Sequence, residues 1–174
     1  MKKILFLFLL VSISVNAQYK ITGEMVPSKK YNWVLLYKIE GARQIFIKNG
    51  DLKNSTKIIN GKKTAISSFE FTLPADAKVG AYRVTYSQEG KRFADFLFNK
   101  EDVDFVFDPE KAEETIRFRK SNENKLYQEY INIVSTEQYK TDSLQIAYLK
   151  NPANNINGLY QKQLAKIANL QKEY

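Results

Sequence analysis

The sequence predicts a mainly β protein with an α appendage: an antiparallel β-sandwich-like domain over residues 18–120, then a C-terminal helical hairpin over residues 121–174. Three observations carry that reading. Short runs between Tyr19 and Arg119 alternate apolar and polar residues with period two, the repeat of a half-buried strand. The breaks between those runs hold Gly, Pro, Asn and Asp, which supply turn geometry. From Asn122 to Lys150 there is neither Gly nor Pro, and the apolar spacing becomes helical.

Ahead of the domain, residues 1–17 read as a cleavable secretory signal peptide. Lys2 and Lys3 make a positive start, and Ile4 to Val15 is apolar apart from Ser12 and Ser14. That run is shorter than the roughly 20 apolar residues a membrane span needs. Val15-Asn16-Ala17 then fits a cut before Gln18. The expectation is export to the periplasm or cell envelope, with no membrane span. No Cys follows the apolar run, so a lipidated cysteine is excluded.

Within the domain, Tyr19 to Val26 is the first expected strand, and Trp33 to Ile39 and Gln44 to Lys48 are the next two. Phe69, Phe71 and Leu73 share one face of a further strand, as do Tyr82, Val84 and Tyr86. Phe93 to Phe98, then Val103, Phe105 and Phe107, then Ile116 to Phe118 complete the set. Asn60-Gly61 is the sharpest two-residue hairpin signal. Eight or nine short strands without helices between them indicate a sandwich or barrel. Ser121 is placed to cap the first helix of the tail, with Glu123 favourable in its first turn. Leu126, Tyr130 and Val134 form its stripe, and Asn151-Pro152-Ala153-Asn154-Asn155 ends it. In a second helix Ile156, Tyr160, Ile167, Leu170 and Tyr174 recur at about 3.5 residues.

Composition excludes several chemistries. The chain has no Cys and no His, so it holds no Ser-His-Asp or Cys-His nucleophile, no Cys/His zinc site and no CxxC redox pair. Its formal net charge is +8, of which Lys2 and Lys3 belong to the leader. In an exported protein that charge favours solubility and attraction to acidic surfaces over nucleic acid. The carboxylates concentrate at Glu101, Asp102, Asp104 and Asp108, and read as the polar face opposite Val103, Phe105 and Phe107. No catalytic, cofactor or metal residue is assigned. Nine basic residues lie between Ser28 and Lys63, against Glu40 and Asp51. There Trp33, Lys38, Arg43 and Lys48 form a candidate surface for anionic glycans, phospholipid headgroups or acidic partners, weighed against simple solvated strand edges. Ile167, Leu170 and Tyr174 form a second candidate surface, for a protein partner or a second copy.

The strings YKITGEM, SFEFTLPADAKVGAYRVTY, FADFLFNKEDVDFVFDPE and SNENKLYQEYI run in that order along the chain. Together they resemble the β-rich N-terminal domain of exported thioredoxin-like thiol–disulfide proteins of the Bacteroidetes. The resemblance covers the chain after its leader, but the CxxC-bearing thioredoxin domain is missing. It therefore implies no redox activity here. It implies a non-catalytic accessory or protein-interaction module of the envelope, with a ligand- or glycan-binding β domain as the alternative.

Overall fold

The alternating pattern resolves into nine strands and three helices among the residues that the computed structural model describes, 18–28, 31–150 and 157–173. In chain order the strands are β1 (Gln18–Met25), β2 (Trp33–Glu40), β3 (Arg43–Asp51), β4 (Lys53–Ile59) and β5 (Lys62–Pro74). They continue as β6 (Gly80–Thr85), β7 (Phe93–Phe98), β8 (Val103–Phe107) and β9 (Arg117–Lys120). One sheet has the order β4-β5-β1-β8-β9 and the other β3-β2-β6-β7. Neighbours are antiparallel except β1 and β8, which run parallel from Ile21↔Val103 to Met25↔Phe107. The expected leader, Lys29, Lys30, the break at Asn151 to Asn155, Ile156 and Tyr174 lie outside the described residues.

The period-two pattern puts one face of each sheet into a shared core. Ile21, Met25, Phe69, Phe71, Leu73, Val103, Phe105 and Phe107 enter from the five-stranded sheet. Val34, Leu36, Tyr82, Val84, Phe96 and Phe98 meet them from the other. Rings dominate the contact. Phe105 lies 5.7 Å from Phe96 across the sheets, 5.8 Å from Phe69, 5.7 Å from Phe107 and 5.6 Å from Phe118. Gly23 makes this possible. It sits in β1 between Phe69 of β5 and Phe105 of β8, and a Cβ there would stand 2.2 Å from the Phe69 ring.

Strand β4 was not among the expected strands. All seven of its residues are exposed, so it carries no burial pattern to read. It exists through backbone pairing with Lys62–Ser68 of β5, closed by the expected turn. Asn60 and Gly61 adopt φ of 50° and 75°, the left-handed pair that an Asn-Gly hairpin turn requires. Only the later part of β5, from Ser67, pairs with β1. Just past the end of β1 the Ser28 amide still donates to the Ala65 carbonyl at 2.7 Å and Ile66 is buried, so only the tip of the β4–β5 ribbon, around Lys57–Ile59 and Lys62–Thr64, runs on beyond the sandwich. Leu52 alone separates β3 from β4, so the chain passes there from the edge of one sheet to the edge of the other.

The helices are α1 (Ala112–Thr115), a single turn between strands that the sequence did not announce, α2 (Asn122–Lys150) and α3 (Asn157–Glu173). Ser121 caps α2 as its position suggested: its Oγ accepts the amide of Asn124 at 3.2 Å. The Ser121 hydroxyl in turn donates to Glu101 at 2.6 Å. The Glu101 carboxylate also receives the amides of Asn122 and Glu123 at 3.4 and 3.5 Å, a negative charge at the positive end of the helix. The first turns of α2 pack beside β7 and β9. The remainder leaves the sandwich and pairs antiparallel with α3, Glu137 facing Gln163 and Lys166. No helix among the described residues is long and apolar enough to cross a membrane.

Candidate functional site

β6 lies between β2 and β7, and both flanking strands are antiparallel to it. The start of β2, the residues after β6 and the start of β7 therefore gather at one end of the four-stranded sheet. That topology builds a cleft of about 570 Å³ lined by Tyr31, Trp33, Ser87, Glu89, Lys91 and Arg92. The Tyr31 ring meets the Tyr86 ring edge-on at 5.3 Å, and Tyr86 stands 5.4 Å from Phe107. The Tyr86 hydroxyl donates to the carbonyl of Pro109 at 3.0 Å, and burial pushes its phenol above the usual range. Arg92 forms an ion pair with Glu110 and donates to the Tyr31 hydroxyl at 3.3 Å. The result is an aromatic wall with a cation held at its rim by a carboxylate.

Trp33 thus meets cations, but not those proposed from the sequence. Lys38 lies five residues further along β2, about 17 Å at the rise of a strand. It has the parity of Val34 and Leu36 while Trp33 has the opposite one, and Lys38 pairs with Glu40. Arg43 stands opposite Glu40, and Lys48 opposite Leu36 on the edge strand. Trp33 is joined instead to Arg92 and Lys91, which the sheet brings from some 60 residues away.

The acidic group reads as the face of a sheet. Asp102 accepts the amide of Lys20 at 2.8 Å. Asp104 accepts the Thr22 hydroxyl at 2.9 Å and an Arg119 nitrogen at 2.8 Å. Asp108 accepts the amide of Glu110 at 2.9 Å, and Glu101 caps α2 as described above. Arg119 reaches Glu24 as well, and Glu24 reaches Lys57 at 2.6 Å. Burial would raise the Glu24 carboxyl, but the bonds from Lys57 and Arg119 hold it below the ordinary carboxylate range. These oxygens fasten β1, β4, β8 and β9 to one another. Among the described residues no three of them converge on a point where a cation would sit.

In the tail, Ile167 is 8% exposed and packs into the seam between α2 and α3. Leu170 is half-buried in the same helix, and Tyr174 lies outside the described residues. The exposed apolar side chains of the tail are others: Tyr139 at 74%, Leu149 at 72%, Leu159, Leu126 and Ile146. The middle of the seam is polar. The Glu137 carboxylate receives Lys140 at 2.8 Å, Gln163 at 2.6 Å and Lys166 at 3.0 Å. Those bonds hold its pKa at about 2.

No protein family, curated protein or solved structure matches this chain.

Sequence reasoning missed the closure of the sandwich's open side. Between β7, α1 and α2 lies an apolar cleft of about 460 Å³, walled by Ala94, Phe96, Ile116, Phe118, Tyr127 and Ile131. Asn124 holds its upper end. The side chain is 1% exposed, accepts the Leu97 amide at 2.7 Å and donates to the Leu97 carbonyl at 2.6 Å. One amide side chain thus completes the edge of β7 as a neighbouring strand would. Gln128 does similar work one turn later by donating to the carbonyl of Ile116. The available signal was an Asn three residues after a capping Ser, where an exposed position would not need a specific amide.

Proposed function

We propose that this chain is a non-catalytic accessory module of the cell envelope that holds a protein partner through the α2–α3 hairpin. The observation that carries the reading is the exposed apolar set on that hairpin. Tyr139, Ile146, Leu149 and Leu159 stand in solvent on a two-helix element whose buried seam is partly polar. Exposed apolar groups concentrated on one projecting element mark an interaction site. The chain holds no acid from Ser143 to Lys172 but four lysines, so the partner's surface is acidic around an apolar centre. Export, and kinship with the N-terminal part of thioredoxin-like proteins, belong to the same proposal. Chemistry is assigned to a partner, because the thiol and imidazole groups for it are absent from this sequence.

The test is light scattering with hydrophobic-dye binding, on the full chain and on Leu149→Glu with Leu159→Glu. Dye binding or self-association that the double substitution abolishes supports the module. A monodisperse chain that binds no dye defeats it. The second reading, ligand binding by the β domain, is favoured by Trp33, Tyr31 and Arg92 meeting in one cleft. A thermal-shift screen with anionic oligosaccharides at varied salt separates the two. Saturable, salt-sensitive stabilisation lost in Trp33→Ala supports the cleft.

A further inference from the structure

We propose that the tip of the β4–β5 hairpin docks on an anionic lipid surface. Ile58 and Ile59 would enter the boundary between headgroups and acyl chains, with Lys62 and Lys63 on the lipid phosphates. The proposal does not depend on the α2–α3 hairpin.

Ile58 is 77% exposed, more than any other large aliphatic or aromatic side chain among the described residues. Its place in the ribbon explains why it cannot hide. Strand β1 ends opposite Ser67, the Ser28 amide beyond it still donates to the Ala65 carbonyl at 2.7 Å, and from Thr64 to Lys62 strand β5 pairs with β4 alone among the described residues. Nothing in the core reaches the tip. Ile58 pairs with Lys63, and Ile59 with Lys62. Paired residues share a face of the ribbon, so each face ends in one isoleucine and one lysine. The chain holds no Asp or Glu from Leu52 to Phe69. Lys57, one step further back, is anchored to Glu24, which leaves the two lysines of the turn for a ligand.

The shape and the chemistry favour lipid over protein. Hot spots of protein interfaces sit in packed pockets, and lysine is depleted from such interfaces. A convex apolar tip between lysines needs a medium that deforms around it and carries negative charge. A lipid headgroup layer does both, while the lysine stems stay in apolar surroundings and their ammonium groups reach phosphate. Charge near such a surface strengthens binding by roughly fivefold per lysine, and salt screens it.

The absence of cysteine supplies the experiment. Ile58→Cys places a polarity-sensitive fluorophore at the tip of the full chain, and Ala75→Cys places one on an exposed turn at the far end of β5. Vesicles with a large fraction of phosphatidylglycerol are expected to shift the emission of the label at position 58 to the blue and leave that at 75 unchanged. The shift is expected to vanish in about 1 M salt and with pure phosphatidylcholine. Lys62→Ser and Lys63→Ser are each expected to weaken the titration about fivefold, with thermal unfolding unchanged because both side chains are exposed. Three outcomes overturn the proposal. The label at 58 stays in water at every lipid composition. The shift survives the double lysine substitution, which removes the lysine–phosphate contacts the proposal requires. Or the shift appears without vesicles, which makes the tip a protein contact.

Discussion

Replacing Asn124 by Ala should uncouple the helices from the sandwich. The Asn124 amide makes two neutral hydrogen bonds to Leu97 and a third, at 2.7 Å, to the Ser121 hydroxyl oxygen. The two bonds to Leu97 alone cost about 1–3 kcal/mol when lost, and leaving its half-buried backbone amide and carbonyl without partners adds more. A loss of about 2–4 kcal/mol is expected. For a chain of this size that lowers the melting temperature by roughly 5–15 °C. Hydrogen exchange reads the location. The Leu97 amide and the first two turns of α2 should lose protection, while β1 and β8 keep theirs until global unfolding. Asn124→Asp adds a check on the cause. Ionised, it accepts the Leu97 amide but cannot donate to the carbonyl. Protonated, it can do both, so this variant should recover stability in acid relative to Asn124→Ala. If Asn124→Ala melts within 1 °C of the parent, or if its protection loss falls on β1 and β8, the clamp is not what joins the two parts.

Two further perturbations test the core and the tail. Gly23→Ala should cost about 1–3 kcal/mol in denaturant unfolding, because its Cβ would collide with the Phe69 ring and displace the packing onto Phe105. Glu137 makes the tail pH-dependent. Its folded pKa of about 2 lies below the ordinary 4.5, so the stability it gives is fully present above 4.5. That stability is lost as pH falls from 4.5 through about 2. Amide protection in α2 and α3 should fall across that window in the parent and stay level in Glu137→Gln.

What could be read from the sequence follows the burial. The strands that carry the core show alternate apolar residues, and the helix expected over Asn122 to Lys150 forms with those bounds. β4 is exposed along its whole length, so its sequence records solvent and not fold, and only the Asn60-Gly61 turn announced it. The same cause hid the start of β5, where Lys62 and Lys63 are exposed. In the tail, periodicity identified a stripe but not what it meets. Ile167 turns inward to α2, and Glu137 sits among the stripe positions with two lysines. A charged residue in an apolar stripe was the visible sign that the seam holds an ion cluster. At the cleft, Trp33 was visible as a lone large ring. Its cleft neighbours Lys91 and Arg92 were not, because sheet order and not chain order brings them beside it.

The parallel pairing of β1 and β8 dictates an order of events. The first strand occupies the middle of its sheet, yet one neighbour starts at Lys62 and the other at Val103. A chain emerging from a ribosome or a translocation pore presents Gln18 to Met25 long before either neighbour exists. One edge of that strand can pair once Pro74 has emerged, and the other stays open until Phe107 has. The five-stranded sheet therefore closes late, and until then one edge of β1 lacks its neighbour.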